Sequence, residues 1–75
     1  MKDLVEYIVR SLVEDPERVS VRERVQGDTV IFEVTVAPGD KGKVIGKNGR
    51  FIKAIRTVVG AAAWKENRQV RLEMT

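Results

Sequence analysis

Seventy-five residues, 43% apolar and 33% charged, are enough for one small globular domain close to the lower size limit for an unaided core. With no cysteine and no histidine, the chain has no disulfide framework, no thiolate metal site and none of the commonest acid–base and zinc-binding side chain. The net charge is only +3, but residues 40 to 56 carry +5, with Lys41, Lys43, Lys47, Arg50, Lys53 and Arg56 against Asp40, while the rest of the chain carries −2. A concentrated cationic segment on an acidic body suits a polyanionic partner, although a merely solvated basic helix face would give the same count.

In chain order, Leu4, Val5, Ile8, Val9, Leu12 and Val13 recur at helical spacing, so the first element is an amphipathic helix over residues 3 to 14. Asp3 is its expected cap, and "EDP" at 14 to 16 its stop, because the residue before proline is pushed out of the α region. This N-terminus mixes acids with apolar residues, unlike a signal peptide, and no apolar run approaches the roughly 18 residues of a membrane span. The expectation is a soluble, cytoplasmic protein with no membrane partner.

Val19, Val21 and Val25 then alternate with polar residues as a half-buried strand, "QGDT" at 26 to 29 forms a tight turn, and Val30, Phe32, Val34 and Val36 form a second strand. "APGD" breaks the pattern, with Asp40 as the expected cap of a short helix ending at Gly46. After Gly49, Phe51, Ile52, Ile55, Val58, Val59 and Ala62 fall within an arc of about 120°, with Arg50, Lys53, Arg56 and Thr57 outside it. This second long helix should stop near "KEN" at 65 to 67, and Val70, Leu72 and Met74 alternate as a last strand. The order is α-β-β-α-α-β, an α+β fold. Strands two and three are joined through helices and therefore lie parallel, with the helices on one sheet face. The other face would show Arg22, Arg24, Glu33, Arg71 and Glu73 to solvent.

Glycine inside a regular element is costly, so the pair Gly46 and Gly49, which falls between the two later helices, points to a local need for bare backbone. Such a turn exposes N–H groups at the positive end of the following helix dipole, Lys47 and Arg50 add charge, and Asn48 adds hydrogen-bonding capacity. "VIGKNGRFI" resembles the V-I-G-x-x-G-x-x-I signature of the KH domain family, with Gly46-Lys47-Asn48-Gly49 as its GXXG loop and Phe51 as a slight departure. The element order is similar to the type II, prokaryotic KH fold across residues 1 to 75, a three-stranded mixed sheet with helices on one face.

The resemblance implies binding of single-stranded RNA, about four nucleotides of backbone being clamped by the loop. Carried onto this chain, Gly46, Lys47, Asn48 and Gly49 would hold phosphates, and Lys43, Arg50 and Lys53 would widen the positive rim. Val44, Ile45 and Ile52 would floor the base groove or, equally, belong to the ordinary core. Nothing in the loop obviously reads a 2′-hydroxyl, so single-stranded DNA stays open. The resemblance also implies a homodimer, or a heterodimer with a larger KH-containing protein, acting as an RNA chaperone or post-transcriptional regulator linked to cell elongation and division. The rival is a protein–protein adaptor or ribosome-associated assembly module built on the same fold.

Other classes fit less well. An RNA-recognition motif needs aromatics on the open sheet face, which has none here. A P-loop needs G-x-x-x-x-G-K-[ST], and "GKVIGKN" is one residue short with Asn48 in place of Ser or Thr. No nucleophile has an obvious base beside it, so the chain reads as a non-enzyme without cofactor or metal. Trp64 leaves two alternatives. It either lies on the polar side of the helix with Lys53 and Gly60, forming a partner contact beside "GAAA", or the helix ends by residue 63 and the indole folds onto the core.

Overall fold

The computed structural model covers all 75 residues. Helix α1 (Lys2–Leu12) buries Val5 and Val9, and its outer face is tied by Glu6 to Lys2 and Arg10 one turn away, at 3.9 and 3.6 Å. The helix starts one residue earlier than its pattern suggests. Met1 occupies the N-cap, and Asp3 lies in the first turn, where its charge favours the dipole without capping it. Val13 is already extended, and a single 3-10 turn over Pro16–Arg18 leads to the sheet.

Strands β1 (Ser20–Gln26) and β2 (Thr29–Thr35) form the expected hairpin, with Val21 opposite Val34 and Val25 opposite Val30. The turn has two residues, and Gly27 supplies the positive φ of +57° it requires. β2 is the central strand and runs parallel to β3 (Gln69–Met74), Phe32 facing Leu72. Between them come a 3-10 turn (Pro38–Asp40), helix α2 (Lys41–Ile45), a second 3-10 turn (Lys47–Gly49) and helix α3 (Arg50–Trp64). At the end of α3, Asn67 turns left-handed at φ +59°, and the Arg68 N–H donates to the Ala63 carbonyl, closing the helix.

The helices cover one sheet face. Val5 and Val9 of α1, Val44 of α2 and Ile55 and Val59 of α3 bury Val21, Val30, Phe32 and Val34 between them. On the opposite face Arg24 reaches Glu33 and Glu73 at 3.5 Å, and Arg71 reaches Glu73 at 3.3 Å. Ile31 sits in register between Arg24 and Arg71 and is nevertheless buried, so this charged face hides one apolar residue among its arginine stems. Val25, expected to be half-buried, is exposed beside the hairpin turn.

Two expectations about α3 change. Its buried residues are Ile55, Val59 and Ala63, so the core-facing stripe is rotated by about 40° from the predicted arc. Phe51 and Val58 flank an open apolar groove instead. Trp64 remains in the helix and is exposed, which excludes its folding onto the core.

Candidate nucleic-acid interface

The approach to the glycine loop is anchored by Asp40. Asp40 is 4% exposed, and its carboxylate accepts hydrogen bonds from the Glu14 and Asp15 amides at 3.2 and 3.1 Å. It makes no side-chain cap on its own helix, contrary to the sequence expectation. A long-range tie has taken its place, and it gives two part-buried amides in the turn after α1 their partners. Lys43 joins the same cluster, 3.0 Å from Glu14 and 3.7 Å from Asp40. The Glu14 hydrogen bond, opposed by partial desolvation and aided by the Glu14 and Asp40 charges, raises the Lys43 pKa above its ordinary value.

α2 ends where the Gly46 N–H donates to the Gly42 carbonyl at 2.8 Å. Gly46 has φ +75° and ψ 171°, a region essentially reserved for glycine. A Cβ there would lie 2.8 Å from the Phe51 ring and 2.9 Å from the Phe51 backbone nitrogen. The bare backbone at Gly46 therefore accommodates Phe51, an internal contact, instead of leaving room for a ligand. Asn48 and Gly49 follow in consecutive left-handed conformations at φ +57° and +74°. At Gly49 nothing approaches an added Cβ closer than 3.8 Å, so this position is open and its glycine is explained by φ.

These two left-handed residues reverse the chain so that Lys47, Asn48, Arg50 and Lys53 surround one shallow cavity of about 480 Å³ with no hydrophobic residue in its wall. None of the three cations has an acidic partner within the chain, in contrast to Lys43. No Asp or Glu occurs between Lys41 and Lys65, and α3 directs the positive end of its dipole at the loop. The site is an open, uncompensated cationic hollow.

The expected site residues divide accordingly. The structure brings Lys47, Asn48, Arg50 and Lys53 together around the cavity, with Gly46 and Gly49 shaping its backbone. Val44 is 0% exposed, so its side chain belongs to the core and cannot floor a base groove. Ile45 and Ile52 are half-buried and keep an accessible edge, Ile52 packing against the core with the rest of its side chain. Lys43 is held at the Glu14–Asp40 cluster and does not line the cavity. Sequence reasoning missed the parts played by Phe51, Asp40 and Glu14. The aromatic departure from the apolar signature was the one visible signal for Phe51, while the Asp40 tie spans 25 and 26 residues and left no local trace.

The loop and the α-β-β-α-α-β order define a type II KH domain. The chain belongs to the KhpA/KhpB KH-domain family, whose model matches residues 2–74. Among its relatives, the RNA-binding protein KhpA of Clostridium perfringens is 57% identical over 74 residues, covering 99% of each chain. The RNA-binding protein KhpA of Chlamydia trachomatis is 53% identical over 75 residues, covering 99% of this chain and 95% of the other. Among solved structures, Aquifex aeolicus Era bound to GDP·AlF4⁻ superposes with a TM-score of 0.71 at 24% identity, over 97% of this chain and 28% of that one. Era in complex with MgGDPNP and nucleotides 1506–1542 of 16S ribosomal RNA gives a TM-score of 0.61 at 22% identity, with the same coverage. These two likenesses concern the fold.

Proposed function

We propose that this protein binds single-stranded RNA through the Gly46–Gly49 loop, with Lys47, Arg50 and Lys53 neutralising phosphates, Asn48 hydrogen-bonding to the strand, and the exposed edges of Ile45 and Ile52 meeting bases. The observation that carries the reading is the cavity itself, three cations and an amide with no internal acidic partner at the start of α3. The naming of its relatives as RNA-binding proteins supports it. Single-stranded DNA fits the same phosphate chemistry. Binding is the activity, not catalysis, and no cofactor is required.

Lys47→Asp combined with Asn48→Asp tests this directly. Asp tolerates the left-handed conformation of position 48 nearly as well as Asn, so the fold is kept and circular dichroism should be unchanged. The double variant should lose single-stranded RNA binding in a filter or anisotropy assay; a folded variant that binds like the wild type removes the assignment.

One such contact gives modest affinity, and a second copy or a larger KH-containing, KhpB-like partner would supply avidity. The groove between α1 and α3, lined by Ile8, Leu12, Phe51, Ala54, Ile55 and Val58, supports self-association or pairing, with Phe51 45% and Val58 51% exposed beside it. In that setting the protein acts in the cytoplasm as an RNA chaperone or post-transcriptional regulator tied to cell elongation and division. Val58→Glu should convert a sedimenting dimer to monomer, and a wild type that is monomeric at all concentrations with no KH partner bound contradicts the pairing.

A further inference from the structure

Trp64 is the only tryptophan in the chain, and it ends α3 with 78% of its surface exposed. An indole in that position adds almost nothing to the core. At 100° per residue, Lys53, Thr57, Gly60 and Trp64 share a strip about 60° wide along α3. The strip begins at Lys53, one of the cavity-lining cations, and ends at the indole. Between them the surface is low. The Thr57 hydroxyl is turned onto the Lys53 carbonyl at 3.0 Å, and a Cβ at Gly60 would meet nothing within 4 Å. No acid interrupts this path, and Lys65, which follows Trp64, has no acidic partner. An acid-free strip thus leaves the cationic cavity at Lys53 and ends at an exposed aromatic. It joins the two features by which proteins hold single strands without reading sequence, backbone neutralisation at the cavity and base stacking at the indole.

We propose that Trp64 is a stacking platform for a base of the same single strand that the loop cradles, extending the contact past the four nucleotides of the loop itself. This rests on the RNA-binding reading above. Trp64 lies eleven helical steps beyond Lys53, a rise of about 16 Å along the helix. A tetranucleotide is used up at the loop, which clamps about four nucleotides, whereas a ten-nucleotide strand has further nucleotides to reach the indole. The contact is therefore length-dependent, and it needs no base preference because every base offers a π-face. A protein partner on Trp64 is the competing occupant. The absence of acids between Lys53 and Trp64 and the continuity with the cationic cavity favour the nucleic acid.

The test uses single-stranded RNAs of four and ten nucleotides, of mixed A and C, against the wild type, Trp64→Ala and Trp64→Phe. Trp64 is the sole tryptophan, so its intrinsic fluorescence reports stacking directly. The ten-mer should quench wild-type emission and the tetramer should not. Trp64→Ala should weaken the ten-mer by about 5- to 150-fold while leaving the tetramer within twofold, and Trp64→Phe should keep most of the affinity. Equal ten-mer affinity of Trp64→Ala and wild type overturns the proposal. So does loss of both lengths together with a changed sedimentation coefficient, which would assign Trp64 to a protein contact. If the wild type binds neither length, the RNA-binding reading itself fails, and this is seen before any Trp64 variant is compared.

Discussion

At the scale of single residues, the two loop glycines do different jobs. Gly46 lies in backbone space closed to other residues and directly under Phe51, whereas Gly49 is left-handed but spacious. Gly46→Ala should therefore cost about 3 kcal/mol or more, from forbidden backbone plus a clash, and Gly49→Ala only about 1–2 kcal/mol. Urea unfolding of the two variants checks this, and equal losses would contradict it. The signature made both positions legible as glycine, but it did not distinguish their reasons, because the Phe51 ring reaches Gly46 only once the turn has closed. Asp40 is similar. Its identity was visible, but its partners lie in the turn after α1. Asp40→Ala leaves the Glu14 and Asp15 amides unpaired and should destabilise by about 1–3 kcal/mol in the same assay. Lys43 gives this cluster a pH dependence of known sign. Its folded pKa is raised, so its contribution is complete below the ordinary lysine value and is lost as pH climbs through the raised one. Stability of the wild type should fall in that alkaline window, and Lys43→Met should flatten the fall.

At the scale of elements, periodicity identified the two long helices and the three strands, with boundaries shifted by a residue or two. The short α2 was read from the break before it and Gly46 after it, and the 3-10 turns had no periodic signal. The hairpin and the parallel pairing of β2 with β3 followed from short against long connections. What the pattern got wrong was the orientation of α3. A hydrophobic arc gives the apolar side of a helix, not which part of it a neighbour covers. α1 leaves Phe51 and Val58 at the margin of an open groove, while Ala63, too small to weigh in the pattern, is fully buried. Substitutions along α3 should reproduce this rotation. Ile55→Ala should cost about 2–4 kcal/mol, and Val58→Ala less than about 0.5 kcal/mol in dilute solution. Thermal or urea denaturation measures both, and a large loss at Val58 at low concentration would mean the stripe is placed wrongly.

At the scale of the whole molecule, charge is segregated. The acid-free run from Lys41 to Lys65 gathers three uncompensated cations, Lys47, Arg50 and Lys53, around the cavity, while the acids of β2 and β3 pair with arginines on the open sheet face. A strand should therefore be guided to the loop and bind there mainly through phosphates. With two to four phosphates engaged at about −0.7 each in the logarithmic salt slope, affinity should drop roughly 7- to 50-fold between 50 and 200 mM salt. A salt-independent affinity would place binding elsewhere. This polarity was legible from charge counts along the sequence. The separation of Lys43 from the other cations was not, since it depends on Glu14 being brought beside α2 by the fold. The central claim is that the hollow around Lys47, Asn48, Arg50 and Lys53 receives the nucleic-acid backbone. Amide chemical shifts followed during titration with a short single-stranded RNA test it most directly. Movement should concentrate on residues 46 to 53 and spare Arg22, Arg24 and Arg71 on the charged sheet face. Shifts on that sheet face with a silent loop would contradict the account.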